Sequence, residues 1–291
     1  MIKVESTTNF YTNKDGKLIV KRKFFTWKAR LIWYKLKSWI FLKNNPAILL
    51  VPIFLLDHNL LFFSIAFLGT VAFDAASSSL GSEVDTLTFD HTCTGTDRGL
   101  IVTVHTSNSN GIDHDTVTFD SVSMTREATA FYNPATSHVR ASIFSLINPN
   151  NGSANSVVIG ISGSDINVGG GAISFSGANQ TDLVEATSSY NSSGNNTASN
   201  SVTTISHNTI VVDAWSTWGA GTFTWSAYGG QTVNHNLEPQ ADDDYVSSRK
   251  AQGSPGSVTM SWSGASGGPN LAGVMAVVKP SDVFIPRSIM Y

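Results

Sequence analysis

From residue 73 onward, apolar and polar residues alternate along the chain with a period of two. Threonine separates Leu87 from Phe89, and hydroxyl-bearing residues separate Val258, Met260 and Trp262. Because successive side chains of a β-strand point to opposite faces, this period predicts strands buried on one face. We find no convincing helical period after residue 75.

Segments with this pattern recur at intervals of roughly ten to fifteen residues, with turn residues between them. The polar stretch 188–200 is predicted to be a loop without core content. About ten short antiparallel strands are typical of a β-sandwich or barrel, and we predict an all-β, jelly-roll-like antiparallel sandwich. The predicted strands lie around Leu87, Leu100, Val117, Val139, Val157, Ile173, Val202, Ile210, Phe223, Val258 and Val274.

Two segments of different character precede the β domain, which we place at residues 73–280. Residues 1–45 are basic and rich in aromatic residues, and 24–42 fits a rough helical stripe. A cationic amphipathic helix with tryptophan is typical of a membrane interface, and a helix docked on a partner subunit gives the same pattern. The tail 281–291 fits an edge strand or a contact arm.

Residues 46–72 are strongly apolar, apart from the central Asp57-His58-Asn59. A bilayer span needs ~20 apolar residues, but a mid-bilayer Asp costs roughly 2.5–3.5 kcal/mol, and Pro52 interrupts a helix. Four interpretations remain open: a signal-anchor with its basic flank inside, a late signal-peptide core, an arm buried against neighbouring subunits, and a segment foreign to the native protein. We expect a basic and apolar, helical N-terminal extension that anchors the protein through residues 1–72.

Charge is distributed unevenly along the chain. Residues 1–45 contain 11 of the 18 Lys and Arg against Glu5 and Asp15, a net charge of +9. Residues 46–291 contain 7 basic and 19 acidic residues, a net charge of -12. An acidic body offers no patch to neutralise phosphates, so we expect no nucleic-acid partner.

The sequence shows no motif with the context that catalysis requires. Residues 264–268 match the G-x-S-x-G nucleophile elbow, but Pro269 and then a strand follow Ser266, where the elbow needs a helix. The seven histidines form no zinc-binding pattern. We therefore predict a non-enzymatic protein without a cofactor. The lone Cys93 is predicted to be a buried thiol.

Four aromatic residues fall within fourteen positions of a glycine-rich stretch: Trp215, Trp218, Trp225 and Tyr228. Exposed aromatic rings on a β scaffold stack against sugars, so these residues are candidate glycan-binding residues. Core packing explains the same residues and is favoured, because Trp215 continues an apolar strand.

Asp242-Asp243-Asp244 is the candidate metal site. In a strand, Asp242 and Asp244 point to the same face, and two carboxylates there could begin a Ca²⁺ shell of six to eight oxygens. A solvated acidic loop near Arg249 and Lys250 is the favoured alternative, since EF-hand spacing is missing.

Residues 73–280 resemble a divergent β-sandwich domain of uncharacterised bacterial surface proteins and phage structural proteins. The resemblance implies an exposed jelly-roll-like fold and assigns no catalytic residue. It is carried by the strings FDAASS (73–78), FDHTCTGTDRGLIVTV (89–104), IFSLINPNNG (143–152), GAISFSGANQTD (171–182), NTIVVDAW (208–215), SPGSVTMSW (254–262) and AGVMAVVKP (272–280).

We therefore expect an exposed structural or assembly module of a virion or cell surface. Its expected partners are copies of itself, neighbouring structural subunits, or a membrane contacted by residues 1–72. The alternative is a carbohydrate-binding or adhesion module with glycan partners. Both alternatives place the β domain outside the cell or on a virion.

Overall fold

The computed structural model describes residues 69–108, 114–132, 138–162, 167–219, 225–240, 243–264 and 268–282, together with four short strands before residue 68. Its regular structure is antiparallel β-strand, which confirms the predicted all-β fold. In chain order the strands are β1 (Tyr11–Thr12), β2 (Leu18–Ile19), β3 (Ile48–Phe54), β4 (Leu61–Phe67), β5 (Ala72–Gly81), β6 (Thr86–Thr92), β7 (Gly99–Asn108), β8 (His114–Phe119), β9 (Val122–Ser123), β10 (Thr125–Tyr132), β11 (His138–Ile147), β12 (Ala154–Ile161), β13 (Asn167–Ser176), β14 (Val184–Ser192), β15 (Thr197–Thr204), β16 (Thr209–Trp218), β17 (Ser226–Ala227), β18 (Thr232–Gln240), β19 (Asp243–Gln252), β20 (Gly256–Ser263) and β21 (Asn270–Val278).

The described part of the N-terminal apolar segment is a hairpin. β3 pairs antiparallel with β4, with Ile48 opposite Phe67. We expected a helix here, but both runs are rich in β-branched and aromatic residues, which favour strands. The sequence between the two strands includes Asp57-His58-Asn59, of which Asp and Asn are residue types common in turns. The predicted helix at 24–42 lies outside the described residues. No helix of membrane-spanning length and apolarity occurs in the part of the chain that the structure describes.

Gly69–Asp282 forms one compact unit, made of four sheets. The first outer sheet has the order β6-β12-β8-β9, and the first inner sheet β10-β11-β7-β13-β5. The second inner sheet has the order β14-β21-β16-β19-β18, and the second outer sheet β15-β20-β17.

Buried side chains show that the four sheets stack as layers. Between the first outer and inner sheets, Leu100 and Val102 belong to one core cluster with Ile159. Between the two inner sheets, Ile101 clusters with residues of β16 and β21. Trp215 packs with the second outer sheet. The run Leu100-Ile101-Val102 is therefore apolar throughout because its strand is buried on both faces.

The two halves of this unit, residues 72–176 and 184–278, repeat one strand topology. We number the strands of each half from 1 to 8 in chain order and count β9 and β10 together as strand 5 of the first half. In both halves the inner sheet then has the order 1-8-3-6-5. The outer sheet begins 2-7-4 in both halves, and β9 adds strand 5 in the first half. These are the strand orders of a jelly roll whose fifth strand crosses to the inner sheet. The chain therefore contains two jelly-roll sandwiches in tandem.

Local details repeat as well as the topology. A β-bulge interrupts the first strand of each half, at Asp74 and at Glu185. Each carboxylate accepts a backbone N–H from the residues that follow the second strand: Thr94 at 2.7 Å, and Ser206 at 3.1 Å. The same side-chain function at the same bulge supports an internal duplication.

The halves pack in a two-fold-like arrangement. The third strands, β7 and β16, contact each other, while the fifth strand of each half contacts the first strand of the other: β10 against β14, and β18 against β5. Reciprocal contacts of this kind define an isologous interface, which is the form found in symmetric dimers. The unit has the geometry of a dimer joined covalently between β13 and β14.

The compact unit contains seventeen strands from β5 to β21, more than the ten or so expected from the sequence. The strands without a predicted counterpart are β5, β9, β10, β14, β17, β18 and β19, and of these β5 and β14 are rich in serine and threonine. Residues 188–200, expected to be a loop, belong largely to β14 and β15. Hydroxyl pairs between β15 and β20, at 3.0 Å for Ser199–Ser261 and 2.7 Å for Ser201–Thr259, replace the apolar contacts by which strands are recognised.

Candidate functional site

Two of the three consecutive glycines in β13, Gly169 and Gly171, set the distance between the two halves. A Cβ at Gly169 would overlap the ring of Tyr245, and a Cβ at Gly171 would overlap the ring of His235. Both rings come from the second inner sheet. Glycine inside a strand marks a close approach of another group. The glycines thus admit two ring-bearing side chains of the second half to the backbone of the first.

These rings belong to a buried polar group that we call the interhalf cluster. His235 Nε2 lies 3.1 Å from His105 Nε2, and the planes of the two imidazole rings meet at 86°. His105 also stacks on Tyr245, with a centroid separation of 5.5 Å. The cluster comprises His105, Ser107 and Asn167 of the first half and Ser216, His235, Asp243 and Tyr245 of the second.

The rest of the cluster ties β19 to the first half. Ser107 Oγ donates to Asp243 Oδ2 at 2.6 Å, and Asn167 Nδ2 donates to the same oxygen at 3.0 Å. The Tyr245 hydroxyl lies 2.7 Å from Ser107 Oγ and 2.9 Å from the Asn167 carbonyl. Each of these bonds joins one half to the other.

Burial governs the protonation of the cluster. It lowers the pKa of His235 from 6.5 to about 3. Burial, followed by the charge of Asp243, raises the pKa of Tyr245 well above its ordinary value. The side chains of His105, His235, Asp243 and Tyr245 are at most 6% exposed, so a solute cannot reach them in this conformation.

A second buried group lies between the sheets of the second half. Asp213 Oδ2 accepts from the indole N–H of Trp262 at 2.8 Å and of Trp215 at 3.2 Å. Asp213 Oδ1 accepts from the backbone N–H of Ser248 at 2.6 Å and from its hydroxyl at 2.9 Å. Burial raises the pKa of Asp213 to about 6, against the opposing effect of these hydrogen bonds. The carboxylate of Asp213 thus joins three strands, β16, β19 and β20, through hydrogen bonds.

The structure places the four candidate aromatic residues in different environments. Trp215 is fully buried and Trp225 is 5% exposed, and both belong to the core of the second sandwich. Trp218 is partly buried against the core between the inner sheets, whereas Tyr228 is 56% exposed. Two of the four rings are therefore turned away from any surface. That the set binds glycans stays a prediction.

Of the acidic stretch, Asp242 lies outside the described residues. Asp243 belongs to the interhalf cluster, while Asp244 is 2% exposed and accepts the indole N–H of Trp225 at 3.2 Å. Burial, and then the charge of Glu238, raises the pKa of Asp244 to about 7. Within the described ranges, no group of three or more His, Cys, Asp or Glu is placed to hold a metal ion. Ca²⁺ binding at Asp242 and Asp244 stays a prediction.

Two other sequence candidates can be located. Ser266 lies outside the described residues. Cys93 is fully buried, which confirms the predicted buried thiol, and burial raises its pKa to about 12. A thiol with such a pKa is protonated at neutral pH and is a poor nucleophile.

A shallow cleft opens where the fifth strand of the first half leaves the outer sheet for the inner one. It has a volume of about 450 Å³, and Val117, Met124 and Phe144 form its apolar floor. The guanidinium of Arg126 lies over the Phe144 ring at 5.4 Å. The cleft contains no pair of nucleophile and base among its lining residues, and Arg126 is its charged group.

Sequence reasoning missed both buried clusters. Asp213 interrupts the apolar run Thr209–Trp218, and a charged residue there signals a buried hydrogen-bonded group. The glycine run in β13 signals a close approach but does not identify the partner. The sequence matches no family model, no curated protein and no solved structure. The geometry described above is therefore the basis for a functional proposal.

Proposed function

We propose that the protein is a non-catalytic structural or assembly module, exposed on a virion or a cell surface. One observation carries the proposal: the side chains best suited to chemistry serve as ties between strands. His105, His235 and Asp243 join the two halves, and Asp213 joins three strands of the second half. Groups held in this way stabilise a rigid body rather than a reacting ligand.

The stacked architecture suits a building block. Each inner sheet is covered on both faces, and the halves share the apolar cluster between their inner sheets. The isologous packing leaves the two outer sheets facing away from each other as the broad surfaces of the unit. A rigid module with two such surfaces can contact neighbours on both sides.

The N-terminal segment supplies a means of attachment. Residues 1–45 carry a net charge of +9 and the remaining chain one of -12, and in the sequence the apolar strands β3 and β4 come between the basic segment and the β unit. Electrostatic attraction favours contact between a basic arm and an acidic neighbour, or between the arm and an anionic membrane surface. Residues 1–68 would then hold the β unit in an assembly or on a bilayer.

Removing the N-terminal segment should abolish assembly and leave the β unit folded. We expect the full chain to sediment as a large oligomer or with membranes, and a variant lacking residues 1–68 to sediment as a monomer with a β-type circular dichroism spectrum. A variant with Gln in place of the Lys and Arg of residues 1–45 tests whether attachment depends on the positive charge or on the apolar residues of the segment. A full chain that stays monomeric and soluble without detergent or partners contradicts the attachment role.

The surface of the second outer sheet favours carbohydrate binding as a second function. Its strands β15, β17 and β20 contain no charged residue, and Ser199, Ser201 and Thr259 present hydroxyls on its exposed face. Tyr228, which is exposed, adjoins this sheet, since its backbone N–H donates to the Ser261 carbonyl at 3.0 Å. Hydroxyls beside an aromatic face can contact a neutral sugar.

If this surface binds glycans, Tyr228→Ala should weaken retention in affinity electrophoresis on neutral polysaccharides by about 1–3 kcal/mol, because a stacking ring is lost. Val122→Ala is the control, since Val122 is similarly exposed, at 50%, but lies on the first half. Equal retention of both variants and the unaltered protein removes Tyr228 from the binding surface.

A further inference from the structure

We propose that the interhalf cluster is an acid-sensitive lock. It holds the two halves together at neutral pH and lets them separate locally when one of its two imidazoles becomes protonated on both ring nitrogens. This regulatory role goes beyond the structural function proposed above. It rests on where the hydrogens of His105 and His235 must lie and on how little space surrounds them.

The hydrogen bonds fix the tautomers of the pair. Ser216 Oγ donates its hydrogen to the Arg140 carbonyl at 2.6 Å, so it accepts from His105 Nδ1 at 3.3 Å. A neutral His105 protonated on Nδ1 has a bare Nε2. That atom accepts the Nε2 hydrogen of His235 across the 3.1 Å contact. The neutral pair is therefore fully compatible with the structure.

A second proton has no suitable place. On His105 Nε2 it would face the Nε2 hydrogen of His235, which sets two donors against each other. On His235 Nδ1 it would face Gly171, whose missing Cβ leaves the room that the ring occupies. A charged imidazole needs both hydrogens bonded, and a buried one needs a compensating anion. The ring must therefore move toward water to be protonated.

The groups around the pair are fixed by other bonds. From β19, Tyr245 stacks on His105, and Asp243 accepts from Ser107 and Asn167. β16 contributes the Ser216 hydroxyl, and β13 contributes glycines. From β11, the guanidinium of Arg140 lies over the Phe131 ring at 4.4 Å, and from β19 that of Arg249 lies over Phe73 on β5. Asp243 is the acidic residue of the cluster, and its hydrogen bonds to Ser107 and Asn167 of the first half would be lost on opening.

The sign of the pH dependence follows from burial. The folded pKa of His235, about 3, lies below the unfolded value of 6.5. The opened state therefore binds more protons, and closure is complete above pH 6.5 and weakens as the pH falls toward 3. For one histidine, each pH unit in this window changes the opening equilibrium by about tenfold.

The test uses the full chain and two histidine variants. His235→Gln removes the second-half imidazole, while His91→Gln is the matched control. His91 is also buried, with a pKa lowered to about 4 by burial, but it bonds to Ser77 within the first half. Hydrogen exchange, corrected for intrinsic rates, reports opening at β7, β13 and β18 separately from β15 and β20, which contain no histidine.

For the unaltered chain, the protection of β7, β13 and β18 should fall by up to about 100-fold between pH 6.5 and 4.5, while β15 and β20 keep theirs. β6 is not a reference strand, because the lowered pKa of His91 makes its own opening acid-sensitive. His91→Gln should retain this response, and His235→Gln should lose most of it. A response that is equal in the inner sheets and in β15 and β20, or that survives His235→Gln unchanged, overturns the proposal. If His235→Gln does not fold, the comparison of sheets within the unaltered chain still decides.

Discussion

Gly273→Ala is expected to destabilise the β unit by about 1–3 kcal/mol, the cost of overpacking a close-packed core. A Cβ at this position would overlap the six-membered ring of Trp215, which is fully buried. Neither backbone nor ring can yield easily, because Trp215 also donates its indole N–H to Asp213. Urea unfolding followed by circular dichroism measures the change.

Gly253→Ala is the matched control, since nothing lies within 4 Å of a Cβ there. We expect its effect to stay within about 0.5 kcal/mol, as for ordinary surface substitutions. Replacing Trp215 by Leu should reduce the penalty of Gly273→Ala, because the two positions share one space. Equal stability of the Gly273 and Gly253 variants would contradict the close contact between the β21 backbone and the Trp215 ring.

Asp213→Ala is expected to cost about 3–5 kcal/mol, because removing one partner from a buried polar network leaves the others unsatisfied. The orphaned donors would be the indoles of Trp215 and Trp262 and both donors of Ser248. Asp90→Ala, at an exposed position of the first outer sheet, is the control. Loss of the near-ultraviolet tryptophan signal should accompany the change in stability.

The same carboxyl gives a distinctive pH signature. Its folded pKa of about 6 exceeds the ordinary value of 3.8, so the folded state binds more protons in this interval. Its contribution to stability is therefore largest below pH 4 and declines as the pH rises to 6, opposite in direction to that of His235. The stability difference between the unaltered protein and Asp213→Ala should shrink over this interval. A difference that grows instead contradicts the inferred burial of the charge.

Sequence pattern identified strands that are buried on one face, because there the alternation of apolar and polar residues is direct. Val258, Met260 and Trp262 point into the second sandwich, as their spacing predicts. The pattern gave weaker guidance for β15, where hydroxyl pairs cover the exposed face. It also could not show that the inner sheets face each other.

The duplication was hidden because equivalent positions carry different chemistry. Gly170 lies opposite Val104 in the first half, as Gly273 lies opposite Trp215 in the second. Two positions before Val104 the first half has Val102, and two positions before Trp215 the second half has Asp213. An apolar contact in one sandwich is thus replaced by a buried hydrogen-bonded network in the other, and such a change erases similarity of sequence while preserving topology.

The interhalf cluster could not be predicted, because its members come from strands far apart in the chain. His105 and His235 are 130 residues apart and meet only through the packing of the halves. Their neighbours in sequence show no pattern that pairs them. The glycine run of β13 was visible, but its meaning depends on which side chains lie opposite.

Imaging of the native particle or cell, with a label on the β unit of this chain, tests the structural role most directly. The proposed role predicts that the label lies at regular intervals on the outer surface and that deleting residues 1–68 disperses it. A label spread through the cell interior, or an unchanged surface pattern after the deletion, would contradict an exposed module that is attached through its N-terminal segment.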